Sequence, residues 1–218
     1  MTLPNLEKIE TSVVLLSGVD ATVNLSADAI SKIMRDPTGQ AIGQPPIQVE
    51  ITSLKDQVLV RIAGGKYVFE DKSDAAPVTG RLPDIVYGFV SLLRDQGVNV
   101  FRAYGFNFDV AFDARGDAPA SEVIADRYLN RDALSSRGNI SVRGAGLRLF
   151  FDHSSGARCD LKVEPRLGEV NSPTFFAHIN YHYDSPEGAM PPLETLKTAY
   201  LGLWPQFVEL LDKLFVKA

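Results

Sequence analysis

The sequence predicts an α+β protein with two mainly antiparallel sheets, each covered on one face by helices. Three observations lead there. Short apolar stretches alternate with polar residues at period two, as half-buried strands require. Two longer stretches carry apolar residues at helical spacing. The resulting string, strand, helix, three strands, helix (β-α-βββ-α), occurs twice, which reads as an internal duplication with its break near Gly97. The units are then residues 1–97 and 98–218, as two bodies or one compact domain. Each unit has one apolar sheet face, and its long helix supplies an apolar stripe to cover it.

The first unit opens on a strand at Ser12–Ser17. Ser26 is placed to cap a short helix with the stripe Ile30, Ile33 and Met34. Residues Asp36 to Pro46 hold two glycines and three prolines and read as a loop. A three-strand meander follows, with Ile47, Val49 and Ile51, then Val58, Val60 and Ile62, then Tyr67 and Phe69. Gly64–Gly65 is a two-residue hairpin turn, since both positions accept positive φ. That turn pairs Ile62 with Tyr67 and Val60 with Phe69. Pro83 suits the first turn of a helix carrying Leu82, Ile85, Val86, Phe89 and Leu93, with Gly97 closing it.

In the second unit Val98, Val100, Tyr104, Phe106, Phe108, Val110 and Phe112 share one parity along a long strand. Arg102 breaks the run, and Gly105 is the expected bulge. A short helix follows Pro119, with Val123, Ile124, Tyr128 and Leu129 inward. A hairpin then joins Leu147–Phe151 to Cys159–Val163 through a three-residue loop, with Gly156 in its left-handed position. This register sets Asp152 opposite Arg158. A third strand covers Thr174–Tyr183. The last helix runs from Leu193 to Phe215, with Pro205 placed to kink or split it.

Composition narrows function without naming it. A chain of 218 residues with 45% hydrophobic and 22% charged residues is an ordinary globular composition. The net charge of −5 lacks the basic footprint that phosphate neutralisation needs, which argues against nucleic acid as a partner. The single cysteine, Cys159, excludes an intrachain disulfide and points to a reducing setting, read here as the cytoplasm. The first residues lack a basic region before their apolar run, so no signal peptide is expected. No stretch approaches the ~20 apolar residues of a membrane span, so no membrane is expected as a partner.

The richest polar pattern lies in Phe175–Asp184, where His178, Asn180, His182 and Asp184 share the parity opposite the apolar one. Residues four apart on a strand are ~13 Å apart at ~3.3 Å each, so His178 and His182 cannot share a zinc ion with its ~2 Å bonds. No metal is expected, and these four residues form a candidate binding row. Arg148 and Arg158 join them from the most basic stretch, as contacts for an anion or an acidic partner. His153 beside Ser154 and Ser155 is turn chemistry, because a nucleophile needs a base and an orienting third group brought in by the fold. Cys159 lies on the apolar parity and reads as a small buried hydrophobe. Gly144–Ala145–Gly146 does not complete a dinucleotide fingerprint, and Gly64–Gly65–Lys66 lacks the phosphate-loop pattern, so no cofactor is expected.

No catalytic residue can be named from these patterns. The first expectation is a binding or assembly module acting through protein–protein contacts, with another protein or a second copy (a homodimer) as partner. The alternative is an enzyme or small-ligand-binding protein with its site between the two units, where Arg102, Asp109, His178 and His182 would converge.

Overall fold

The structure, a computed structural model, describes residues 3–17, 25–42, 48–77, 80–114, 118–130, 144–185, 188 and 192–215. The elements in order are β1 (Glu7–Ser17), α1 (Ala27–Ile33), β2 (Pro37–Ile42), β3 (Gln48–Ser53), β4 (Val58–Ala63), β5 (Lys66–Asp71), α2 (Leu82–Asp95), β6 (Phe101–Asp113), α3 (Ala120–Tyr128), β7 (Leu147–Asp152), β8 (Arg158–Pro165), β9 (Thr174–Asp184) and α4 (Leu193–Phe215).

The two expected sheets are in fact one. All nine described strands form a single antiparallel sheet in the order β2-β3-β4-β5-β1-β6-β9-β8-β7. The join is β1 against β6, paired from Glu7↔Ala111 to Ser17↔Phe101. Alternation could not reveal this, because period two says which face of a strand is buried and not which strand lies beside it. The duplicated β-α-βββ-α string also fails. Four strands lie between the helices of the first stretch, because Pro37–Ile42, expected as loop, forms β2. This strand sits at the sheet's end, and its proline takes the first position, where a missing N–H disturbs the ladder least.

Register builds an apolar row across the sheet. Ile51, Val60, Phe69, Val13, Phe106, Tyr181, Cys159 and Phe151 follow one another in direct pairing. All but Phe151 are buried. The pairs Ile62↔Tyr67 and Val60↔Phe69 are those the Gly64–Gly65 turn predicts, and both glycines have positive φ.

All four helices pack on this face. Phe89 of α2 meets Phe69 edge-on, with ring centroids 5.5 Å apart. On α4, Tyr200 and Phe207 lie 5.5 and 6.1 Å from the Phe108 ring, and Phe215 lies 4.9 Å from Phe175. Tyr128 of α3 packs edge-on to Phe215 at 6.1 Å. On α1, Ile33 lies so close to Gly88 of α2 that a Cβ there would meet it at 2.8 Å. Each buried aromatic withdraws about 150–250 Å² from water, at about 25 cal/mol per Å², so this layer supplies most of the drive to fold.

Three local expectations need correction. The bulge is not at Gly105: register shifts between Leu16↔Ala103 and Ser17↔Phe101, leaving Arg102 exposed and swinging Phe101 inward. Gly105 instead allows a close approach, since a Cβ would stand 2.9 Å from the Tyr181 carbonyl oxygen. Pro205 does not split the last helix, which runs 23 residues with its buried Tyr200, Leu203, Phe207 and Leu211 pinned to the sheet on both sides of the proline. On α3 only Ile124 of the expected inward set is buried, and the Tyr128 hydroxyl donates to the Leu214 carbonyl at 3.0 Å, near the end of α4.

Several polar groups beneath the helices are paired. Lys8 Nζ lies 2.8 Å from Asp71, with both side chains 2% exposed. The hydroxyls of Thr11 and Tyr200 share a hydrogen bond of 2.6 Å. Asp56, in the β3–β4 turn, accepts from the Arg35 backbone N–H at 2.7 Å, from Arg35 Nε at 2.5 Å and from Arg81 at 2.6 Å. That carboxylate ties the chain after α1 to the turn and to the start of α2. Among the described residues no helix is long and apolar enough to cross a membrane.

Candidate functional site: the uncovered sheet face

The opposite face carries no described α-helix. One of its rows reads Thr52, Leu59, Glu70, Ser12, Asn107, Asn180, Asp160 and Phe150 in direct pairing. It is polar at its centre, where the apolar face is most deeply packed. All six residues singled out from sequence lie on this face: His178, Asn180, His182 and Asp184 from β9, Arg158 from β8 and Arg148 from β7.

The structure gathers them into separate groups. Asp184 accepts from Arg158 at 2.7 Å and from His182 at 3.0 Å. The bond from His182 is the main cause that holds the Asp184 carboxyl below its usual range, with Arg158 adding to it. Asp152 stands opposite Arg158 in register, as the hairpin predicts, but the arginine's ion pair goes to Asp184. Arg148 grips Asp160 with two nitrogens at 2.9 and 2.7 Å, which lowers the Asp160 pKa, and its guanidinium lies 4.8 Å from the centre of the Phe150 ring. Such bidentate pairs have a defined geometry that a lysine would not give.

The other two members meet residues of β6. His178 Nδ1 lies 2.5 Å from Asp109, and the Asn180 amide donates to Asn107 at 2.5 Å, which in turn donates to Ser12 at 2.9 Å. His178 and His182 therefore have different partners. Asp109 was expected near His178, but in a site that also gathered Arg102 and His182. Arg102 instead stands exposed at the bulge. Asn107, Asp160 and Ser12 were not singled out. Their polar character at the outward parity was visible, but only the strand order shows that they adjoin His178 and Asn180.

Two open hollows lie on the face. One of about 580 Å³ sits over β7–β9 and is lined in part by Phe150, Asp152, Arg158, Asp160 and His182. Another, of about 240 Å³, crosses the β1–β6 seam and is lined in part by Glu10, Ser12, Glu70, Asp109 and His178. Their walls offer carboxylates, imidazoles, amides and guanidinium groups to a polar surface. Among the described residues no three His, Cys, Asp or Glu side chains stand together as a metal site.

The hydroxyls and the thiol near this face are occupied with structure. Burial pushes the Cys159 thiol up to about 11, so it is a neutral, inert group at neutral pH. Ser155 bonds His153 at 2.8 Å and the Tyr183 hydroxyl at 2.7 Å, tying the β7–β8 turn to β9. The arrangement is a nine-stranded antiparallel layer with helices on one side and a paired, polar surface on the other. Neither any family model nor any curated protein sequence matches the chain.

Proposed function

We propose that the protein is a binding or assembly module that takes a protein partner on its uncovered sheet face. One observation carries this reading. The face is broad, its charged groups are held in ion pairs along and across the strands, and its hollows are open. Pre-ordered polar groups cost little entropy on association and set orientation, which suits recognition of a complementary polar surface. The single cysteine, buried and inert, fits a reducing cytoplasmic setting.

A photo-reactive benzophenone residue placed at His182 or Asn180 in cells tests the reading. The expected result is a discrete protein adduct from these positions and none from Tyr87, which is exposed on α2. The same adducts from Tyr87, or none from either face position, would overturn it.

The hollow across the β1–β6 seam favours a second reading, a small polar ligand. There Asp109 and His178 lie 2.5 Å apart, in a space bounded by residues of both 1–97 and 98–218. Native mass spectrometry of the protein from its source would show a small bound species that His178→Ala removes. A ligand-free spectrum would reject this second reading.

A further inference from the structure

We propose that a second copy of the chain docks along the outer edge of β7, extending the sheet across a two-fold axis. β7 ends the strand order, and among the described residues nothing pairs with its outer side. Its sequence, Leu147–Arg148–Leu149–Phe150–Phe151–Asp152, is apolar for an edge. Proteins usually blunt edges with short strands, prolines or inward charges, because an open row of N–H and C=O groups recruits another strand. Here Phe150 is 71% exposed, and Leu147, Leu149 and Phe151 are only partly covered on the helix side.

The hairpin decides which backbone groups face outward. His153 N–H donates to the Ala157 carbonyl at 2.8 Å, so that pair is bonded inward. Alternation along an antiparallel ladder then turns the N–H and C=O of Asp152, Phe150 and Arg148 outward. An antiparallel copy can meet these groups with Phe150 opposite its own counterpart. In that register Arg148 faces the partner's Asp152 on the polar side, and Leu149 faces the partner's Phe151 on the helix side. Residues directly opposite share a face, so the pattern keeps apolar with apolar and charge with opposite charge. A slip of two residues either way sets Phe150 against one of the charges and takes Arg148 and Asp152 out of register. The edge is therefore complementary to itself in one register. The polar faces of both copies then form one surface, with the two Phe150 rings at its centre.

This contact runs along the backbone edge of β7 and shares Arg148, Phe150 and Asp152 with the open face, whereas the adducts that test the open face come from His182 and Asn180 on β9, so each reading can fail alone. Sedimentation velocity up to about 100 μM, where small interfaces still associate, should show a species of twice the chain mass. Phe150→Pro removes an outward N–H and leaves the bonds to β8 in place, so the dimer should be lost while thermal stability holds. Asp152→Arg should weaken association at least tenfold, because it sets the new arginine against the partner's Arg148. A protein that stays monomeric throughout, or a dimer indifferent to Phe150→Pro, overturns the proposal. A dimer that survives with no adducts at His182 and Asn180 would sink the open-face reading and leave this one standing.

Discussion

Asp56→Asn tests whether the staple between α1, the β3–β4 turn and α2 holds the helices in place. The Asp56 carboxylate is fully buried, while its guanidinium partners on Arg35 and Arg81 are 57% and 39% exposed. Removing one partner of a buried pair costs about 3–5 kcal/mol when the other charge stays buried. Here the arginines can turn to water, so the loss reduces to the charge-assisted bonds themselves, about 2–3 kcal/mol in total. With about 2.1 cal/mol/K of unfolding entropy per residue over 218 residues, Tm should fall by about 4–7 °C at pH 7. Burial acts to raise the Asp56 pKa, but the Arg35 backbone N–H and the two guanidinium groups outweigh it, so the folded value lies below the ordinary one. The staple's contribution is then complete above the unfolded value, near 4, and drains away as pH falls through the folded one. Calorimetric melts of both proteins from pH 7 to about pH 2 should show the gap in Tm closing on the acid side. A shift under about 1 °C at pH 7, or a gap unchanged by acid, would refute the reasoning.

Other changes have directions set by single contacts. Thr11→Val leaves the Tyr200 hydroxyl buried without its partner and should cost about 1–3 kcal/mol in urea unfolding, and adding Tyr200→Phe should recover part of that loss. A double variant no better than Thr11→Val would mean the hydroxyl pair is not the cause. Gly105→Ala should destabilise by about 1–3 kcal/mol, against the usual gain from replacing a strand glycine, because its Cβ meets the Tyr181 carbonyl. A stabilised protein would show that β9 yields at no cost. A thiol reagent at pH 8 should label Cys159 only at the rate of unfolding, faster as denaturant is added, since burial raises its pKa to about 11. Prompt stoichiometric labelling of the folded chain would contradict this.

Much of the fold was legible wherever one local rule decided it. Gly64–Gly65 needed only the demand of a tight hairpin for positive φ, and it fixed the β4–β5 register. The β7–β8 loop was equally local. The single sheet was not legible, because β1 and β6 are far apart in sequence and neither carries a mark of the other. The length of β6, 13 residues and expected as one long strand, was the available hint, whereas β1 was expected only over Ser12–Ser17 and runs 11 residues. A long strand with strict alternation suits the middle of a sheet, where it supports neighbours on both sides. The break at Gly97 looked like a boundary because a helix ended there, yet the next strand returns to the first.

The candidate site shows the same division between local and global information. Parity along β9 placed His178, Asn180, His182 and Asp184 on one face from sequence alone, and it applied equally to Arg148 and Arg158. What each residue touches depended on strand order: Asp109 and Asn107 adjoin β9 only because β6 is its neighbour. The outer edge of β7 makes the point most sharply. In the middle of a sheet its six residues would be paired on both sides, and the opposition of Arg148 to Asp152 about Phe150 would carry no message about assembly. Placed last in the strand order, the same residues become a self-complementary edge. Whether a strand speaks to its own chain or to another copy is therefore set by topology.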